Sequence, residues 1–181
     1  MNITERLTKY VKVYTTSDEN SETFPSTKRQ FDLANILVDE LKELGLKDAA
    51  VDEYGYVTAH LEGNTDKKMP TLGLLSHMDT SPAAKGENVN PKVIRYEGGD
   101  IVLNKEKNIV LSPDDFPALD DVVGLDLMVT DGTTLLGADD KAGIAIIMDT
   151  LKTVIEKDLP HGPVAIGFTP DEEVGRGVDK F

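Results

Sequence analysis

Three short polar clusters each follow directly on an apolar run, and that placement constrains the fold more than any other feature of the chain. The clusters are His77-Met78-Asp79, Gly137-Ala138-Asp139-Asp140-Lys141 and Asp171-Glu172-Glu173. The runs before them are Thr71-Leu72-Gly73-Leu74-Leu75, Leu135-Leu136 and Val164-Ala165-Ile166-Gly167-Phe168. Short, nearly continuous apolar runs bounded by turn residues read as strands buried on both faces. In open α/β sheets, functional side chains gather beyond the carboxyl ends of strands. The pattern therefore predicts one sheet with three polar strand ends around a common hollow.

The rest of the chain fits such a sheet. Ile3, Leu7, Tyr10, Val11 and Tyr14 recur at helical spacing, and Phe31, Ala34, Leu37, Leu41 and Leu44 form a second stripe. Thr27 and Gln30 have the spacing of a capping box at the start of that second helix, and Gly45 is placed to stop it in a left-handed conformation. Tyr54-Gly55 reads as a turn between two strands. Asp100 to Asn104 and Asn108 to Ser112 flank Lys105-Glu106-Lys107 as a hairpin. Residues 82–134 as a whole read as an excursion from the sheet. Ile144, Ile147, Met148, Leu151, Val154 and Ile155 make a strong helix that ends before Pro160-His161-Gly162-Pro163. The expected fold class is α/β, a mixed-sheet sandwich.

Composition narrows the chemistry. The chain has 181 residues, 39% hydrophobic and 29% charged, enough for one domain with a sizeable core. A net charge of −14 opposes binding to nucleic acid or anionic membranes. Asp114, Asp115, Asp120, Asp121 and Asp126 read as a solvated face. No apolar run reaches the roughly 20 residues that span a bilayer, and no basic region followed by an apolar core opens the chain. With no cysteine, disulfides, thiolate metal sites and thiol nucleophiles are excluded. A cytoplasmic setting is the expectation. Nucleophile-elbow, dinucleotide, P-loop, His-Glu-x-x-His and EF-hand patterns do not occur.

Each cluster has an ordinary reading and a chemical one. His77 is a loop histidine, or a metal ligand oriented through its second nitrogen by Asp79, which projects to the same side in extended backbone. One of Asp139 and Asp140 caps the following helix and the other faces the crevice. Three successive carboxylates at 171–173 make a solvated loop, or divide cation binding and proton transfer between them. His60 and His161 are not assigned to a metal. Taken together, the clusters supply a neutral imidazole, a carboxylate able to bridge and a separate base, the set that a pair of divalent cations needs.

The order His77-x-Asp79, Gly137-x-Asp139-x-Lys141-x-Gly143 and Asp171-Glu172-Glu173-x-Gly175 resembles the co-catalytic zinc peptidases related to glutamate carboxypeptidase and succinyl-diaminopimelate desuccinylase. The resemblance runs from the first helix to Phe181. It implies a zinc-dependent exopeptidase fold and two Zn2+ in the full-length enzyme. His77 is then a ligand of one zinc, Asp139 the bridging ligand, Glu173 a ligand of the second, Glu172 the general base and Asp79 the residue that orients His77. The longer strings, Ser76 to Pro82 and Thr169 to Gly177, place the chain nearest the members that remove the N-terminal residue of short peptides. A deacylase or carboxypeptidase of the same architecture is the alternative, and a non-enzymatic α/β module a further one.

The family completes its metal site with a later aspartate and a C-terminal histidine, and inserts a lid that mediates dimer contacts. None of these is matched here, and Asp179 follows Glu173 too closely to stand in. The 181 residues are thus expected to be the N-terminal part of a catalytic domain, with low zinc occupancy and little activity alone. A short peptide is the expected substrate and a homodimer the expected state of the whole enzyme.

Overall fold

A computed structural model describes all 181 residues, Met1 to Phe181. Helix α1 spans Ile3–Val11 and α2 Gln30–Glu43. Strands β1 (Ala50–Val51), β2 (Val57–Leu61) and β3 (Leu72–His77) follow, then β4 (Lys92–Arg95), β5 (Ile101–Asn104), β6 (Ile109–Leu111) and β7 (Asp126–Val129). The chain continues with α3 (Ala138–Glu156), β8 (Val164–Thr169) and a single 3-10 turn at Glu172–Val174.

The mixed α/β sheet expected from the sequence is what forms. Its strand order is β1-β2-β8-β3, with β8 antiparallel to β2 and parallel to β3. Parallel pairing needs a long crossover, and α3 is that crossover. Strands β4 and β7 form one two-stranded ribbon and β5 and β6 another, and neither joins the main sheet. Asp114, Asp115, Asp120, Asp121 and Asp126 are all exposed.

The core lies between one face of the sheet and the helices. Leu33, Leu37 and Leu41 of α2 and Ile144, Met148 and Leu151 of α3 pack on Val57, Ala59, Ile166 and Phe168, all fully or almost fully buried. Tyr10 closes the core from α1, and its hydroxyl donates to Glu40 Oε2 at 2.6 Å. Burial and the Glu40 carboxylate push this phenol above its ordinary range, so it stays a donor. Arg6 pairs with the same buried carboxylate, which locks α1 to α2. Gly45 ends α2 with φ +99°, the left-handed stop expected from sequence.

Three local expectations are corrected. Leu135-Leu136 forms no strand, so the second cluster follows a loop and opens α3 directly. The run Leu72 to Leu75 is not buried on both faces: Leu72 and Leu75 are each 58% exposed. β3 is the edge strand, and Leu75 projects to the sheet face opposite the helices. An apolar run cannot by itself distinguish an edge position from a central one. The capping box at Thr27 and Gln30 also does not form. Arg29 occupies the cap position without a side-chain bond, and the Gln30 amide turns inward to Asp171. A capping box appears instead at α1, between Asn2 and Glu5.

The topology explains where the polar clusters go. In the parallel pair β3 and β8, His77 stands opposite Thr169, so both strands end at the same edge of the sheet. Helix α3 leads into β8 and therefore starts at that same edge. All three clusters sit there.

Candidate metal centre

His77 is the last residue of β3 and nearly buried. Its Nδ1 lies 3.1 Å from the Asp79 carbonyl oxygen and 3.4 Å from the Asp79 carboxylate. That leaves Nε2 facing outward, 3.0 Å from Asp139 Oδ1 and 3.7 Å from Glu172 Oε2. The loop carrying Asp79 is anchored to the segment after α1. Thr15 Oγ1 donates to the Met78 carbonyl at 2.8 Å, and Thr16 and Thr80 hydroxyls meet at 2.9 Å.

The two adjacent aspartates divide the work that the sequence left open between them. Asp140 Oδ1 accepts from Gly143 N at 3.1 Å and Oδ2 from Ser76 Oγ at 2.6 Å, so Asp140 caps α3 and ties it to β3. A Cβ on Gly143 would fall 2.4 Å from Asp140 Oδ1 and 2.7 Å from Ser76 Oγ, so only glycine permits this closure. Asp139 has non-helical backbone, and its side chain is 86% exposed to the crevice.

Glu172 and Glu173 form the turn after β8. Their backbone N–H groups donate to the two oxygens of Asp79 at 3.0 and 3.1 Å. Asp79, fully buried, thus grips the acidic turn as well as standing behind His77, a contact with no signature in local sequence. Buried Lys141 supplies the nearby positive charge. Burial brings its ammonium down to about 8, opposed by attraction to Asp79, and its Nζ donates to the Val13 carbonyl at 2.8 Å. The sequence places Lys141 in a motif but assigns it no role, since nothing local marks a lysine as buried.

One imidazole nitrogen and one carboxylate oxygen from each of Asp139 and Glu173 lie within 4.8 Å of one another. This donor set fits a divalent cation that accepts nitrogen and oxygen ligands, such as zinc. Two of the three, Asp139 and Glu173, line a crevice of about 290 Å³ together with Thr80, Ser81, Leu135, Gly137 and Ala138. His60 stands far from the cluster in an exposed pair with Asp48, and His161 bonds its neighbour Gly162.

The charges are consistent with a site built for cations. Burial raises the Glu173 carboxyl above its ordinary range, as do Asp139, Asp79 and Glu172, while His77 opposes them. Burial alone would make His77 harder to protonate. The Asp79, Asp139 and Glu172 carboxylates override it and lift the imidazole to about 9. Without metal, His77 therefore steadies the fold below its unfolded value near 6.5, and that contribution is lost as pH rises through about 9. An incoming cation displaces this proton below pH ~9, so zinc affinity should fall by up to about tenfold per unit as pH drops. Calorimetry near pH 7 in two buffers of different ionisation enthalpy should show about one proton released per zinc bound. Release of none would contradict a protonated His77.

No protein-family model matches the sequence. Curated relatives do. Peptidase T of Caldanaerobacter subterraneus is 60% identical over 181 residues, which is 99% of this chain and 44% of that protein. Peptidase T of Geobacillus thermodenitrificans is 57% identical over 179 residues, again 44% of its length. Among solved structures, a tripeptidase from Staphylococcus aureus superposes with a TM-score of 0.67 at 25% identity, over 99% of this chain and 39% of that one. Aminopeptidase PepT from Bacillus cereus gives the same score at 23% identity and shares the fold. The chain spans less than half the length of the curated relatives that it matches. Along 99% of its length this chain is similar in sequence to peptidase T, and over the same residues it shares the fold of the solved tripeptidase and PepT structures.

Proposed function

We propose that these residues form part of a metal-dependent aminopeptidase that hydrolyses the N-terminal peptide bond of short peptides, tripeptides foremost. The observation that carries this reading is the convergence of His77, Asp139 and Glu173 within 4.8 Å beside an open crevice. The names peptidase T and tripeptidase among similar proteins support the substrate class.

In this reading His77, through Nε2, Asp139 and Glu173 would hold the zinc. When bound, the metals polarise the scissile carbonyl and acidify water. Asp79 fixes the ring of His77 so that Nε2 faces the crevice. Glu172, its side chain 59% exposed, takes the proton of the attacking water and returns it to the departing amine. Three ligand atoms are fewer than two four-coordinate zinc sites require. The 181 residues alone are therefore proposed to bind zinc weakly and turn over little. A homodimer of the longer protein belongs to the same proposal.

The test is to assay the full-length protein on tripeptides, dipeptides and N-acyl amino acids, before and after chelation and after zinc is restored. Tripeptide cleavage should vanish on chelation and return with zinc. Cleavage that survives complete metal removal would refute the metal reading. Activity confined to N-acyl amino acids would make the enzyme a deacylase.

A further inference from the structure

We propose that Asp171 is a positioning residue, which with Ser26 and Gln30 sets the angle at which Glu172 and Glu173 enter the crevice. The proposal rests on the metal-site reading of those two glutamates.

Asp171 has no exposed surface. All the donors to its carboxylate are neutral: Ser26 N at 2.6 Å, Ser26 Oγ, and Gln30 Nε2 at 2.7 Å. Gln30 Oε1 in turn accepts from Asp171 N at 3.1 Å, so one amide side chain holds both ends of the residue. A fully buried carboxylate is costly unless its bonds are satisfied, and here three donors from the entry to α2 satisfy it. Its backbone is left-handed, with φ +57° and ψ +24°. That conformation is uncommon for a residue with a side chain and persists where surrounding contacts over-determine it.

The left-handed residue is what turns the chain at the end of β8. Because of it, the next two N–H groups face the Asp79 carboxylate. The acidic turn is therefore pinned at two places, by Asp79 on the crevice side and by the Asp171 bonds behind it. None of Ser26, Gln30 and Asp171 lines the crevice. Their effect reaches the metal ligands only through the turn. A purely structural link between β8 and α2 would change stability and leave the ligand geometry alone.

Cobalt(II) binding separates these possibilities, since its visible absorption reports ligand geometry. Stepwise addition of cobalt to the metal-free full-length protein gives affinity and band position for wild type, Asp171→Asn, Gln30→Met and Ser26→Ala. Circular dichroism establishes that each variant is folded. Gln30→Met removes both prongs of the amide at similar volume, and Ser26→Ala removes the hydroxyl donor to Asp171 while keeping the Ser26 N–H donor, so these two carry the test if Asp171→Asn unfolds. Folded Asp171→Asn and Gln30→Met should bind cobalt about 10- to 100-fold more weakly, with a shifted band, and Ser26→Ala should fall between them and wild type. Wild-type affinity and spectrum in the folded variants would overturn the positioning role alone. Absence of cobalt binding by wild type would overturn the metal-site reading together with it.

Discussion

Replacing Glu172 by Gln in the full-length protein should lower kcat on a tripeptide by about 10²- to 10⁴-fold while zinc content stays unchanged. Glutamine keeps the volume and the backbone N–H that donates to Asp79, so the turn should survive. What it removes is the ability to accept a proton. Glu172 Oε2 stands 3.7 Å from His77 Nε2, near the ligand cluster yet outside the set of three that converge. Glu173→Gln should behave differently, losing metal as well as turnover. Kinetics on a tripeptide with metal analysis of each variant makes the comparison. Near-wild-type kcat in Glu172→Gln would remove this residue from the role of base.

Asp79→Ala should be the most destabilising single change at the site, by about 3–5 kcal/mol. The carboxylate is fully buried and accepts from Glu172 N and Glu173 N. Its loss leaves both donors without acceptors and strips Lys141, itself only 1% exposed, of its nearby opposite charge. Urea unfolding of the full-length protein measures the loss, and zinc affinity should fall in parallel because His77 loses its orienting group. Asp79→Asn retains one acceptor oxygen and should lie between. A variant with the wild-type midpoint and wild-type zinc affinity would exclude both roles.

Much of this architecture is readable before any coordinates. The stripe from Ile144 to Ile155, the hairpin around Lys105-Glu106-Lys107 and the stop at Gly45 follow from period and turn chemistry, which are local. Three things are not local. The edge position of β3 depends on strand order, which an apolar run does not encode. The second duty of Asp79 depends on N–H groups 93 and 94 residues further along the chain. The inward turn of Gln30 depends on Asp171, 141 residues away, and its spacing from Thr27 imitates a capping box. At the candidate site, residue types and order pointed to His77, to one of Asp139 and Asp140 and to the 171–173 carboxylates, while the resemblance alone chose Asp139 and told Glu172 from Glu173. Lys141 stood in the motif without a role, because its burial is a property of packing.

Because β3 reaches its partner β8 only through the long crossover, the crevice is expected to close late in folding. Contacts between distant parts of a chain pay their closure entropy before they reward it, and such pairings form slowly. The β5–β6 ribbon can gather early from neighbouring residues, whereas His77 meets Asp139 only once a separation of 62 positions along the chain has been closed. A cation cannot template those first steps. It can only act as a latch on the finished structure, slowing its opening without hastening its birth.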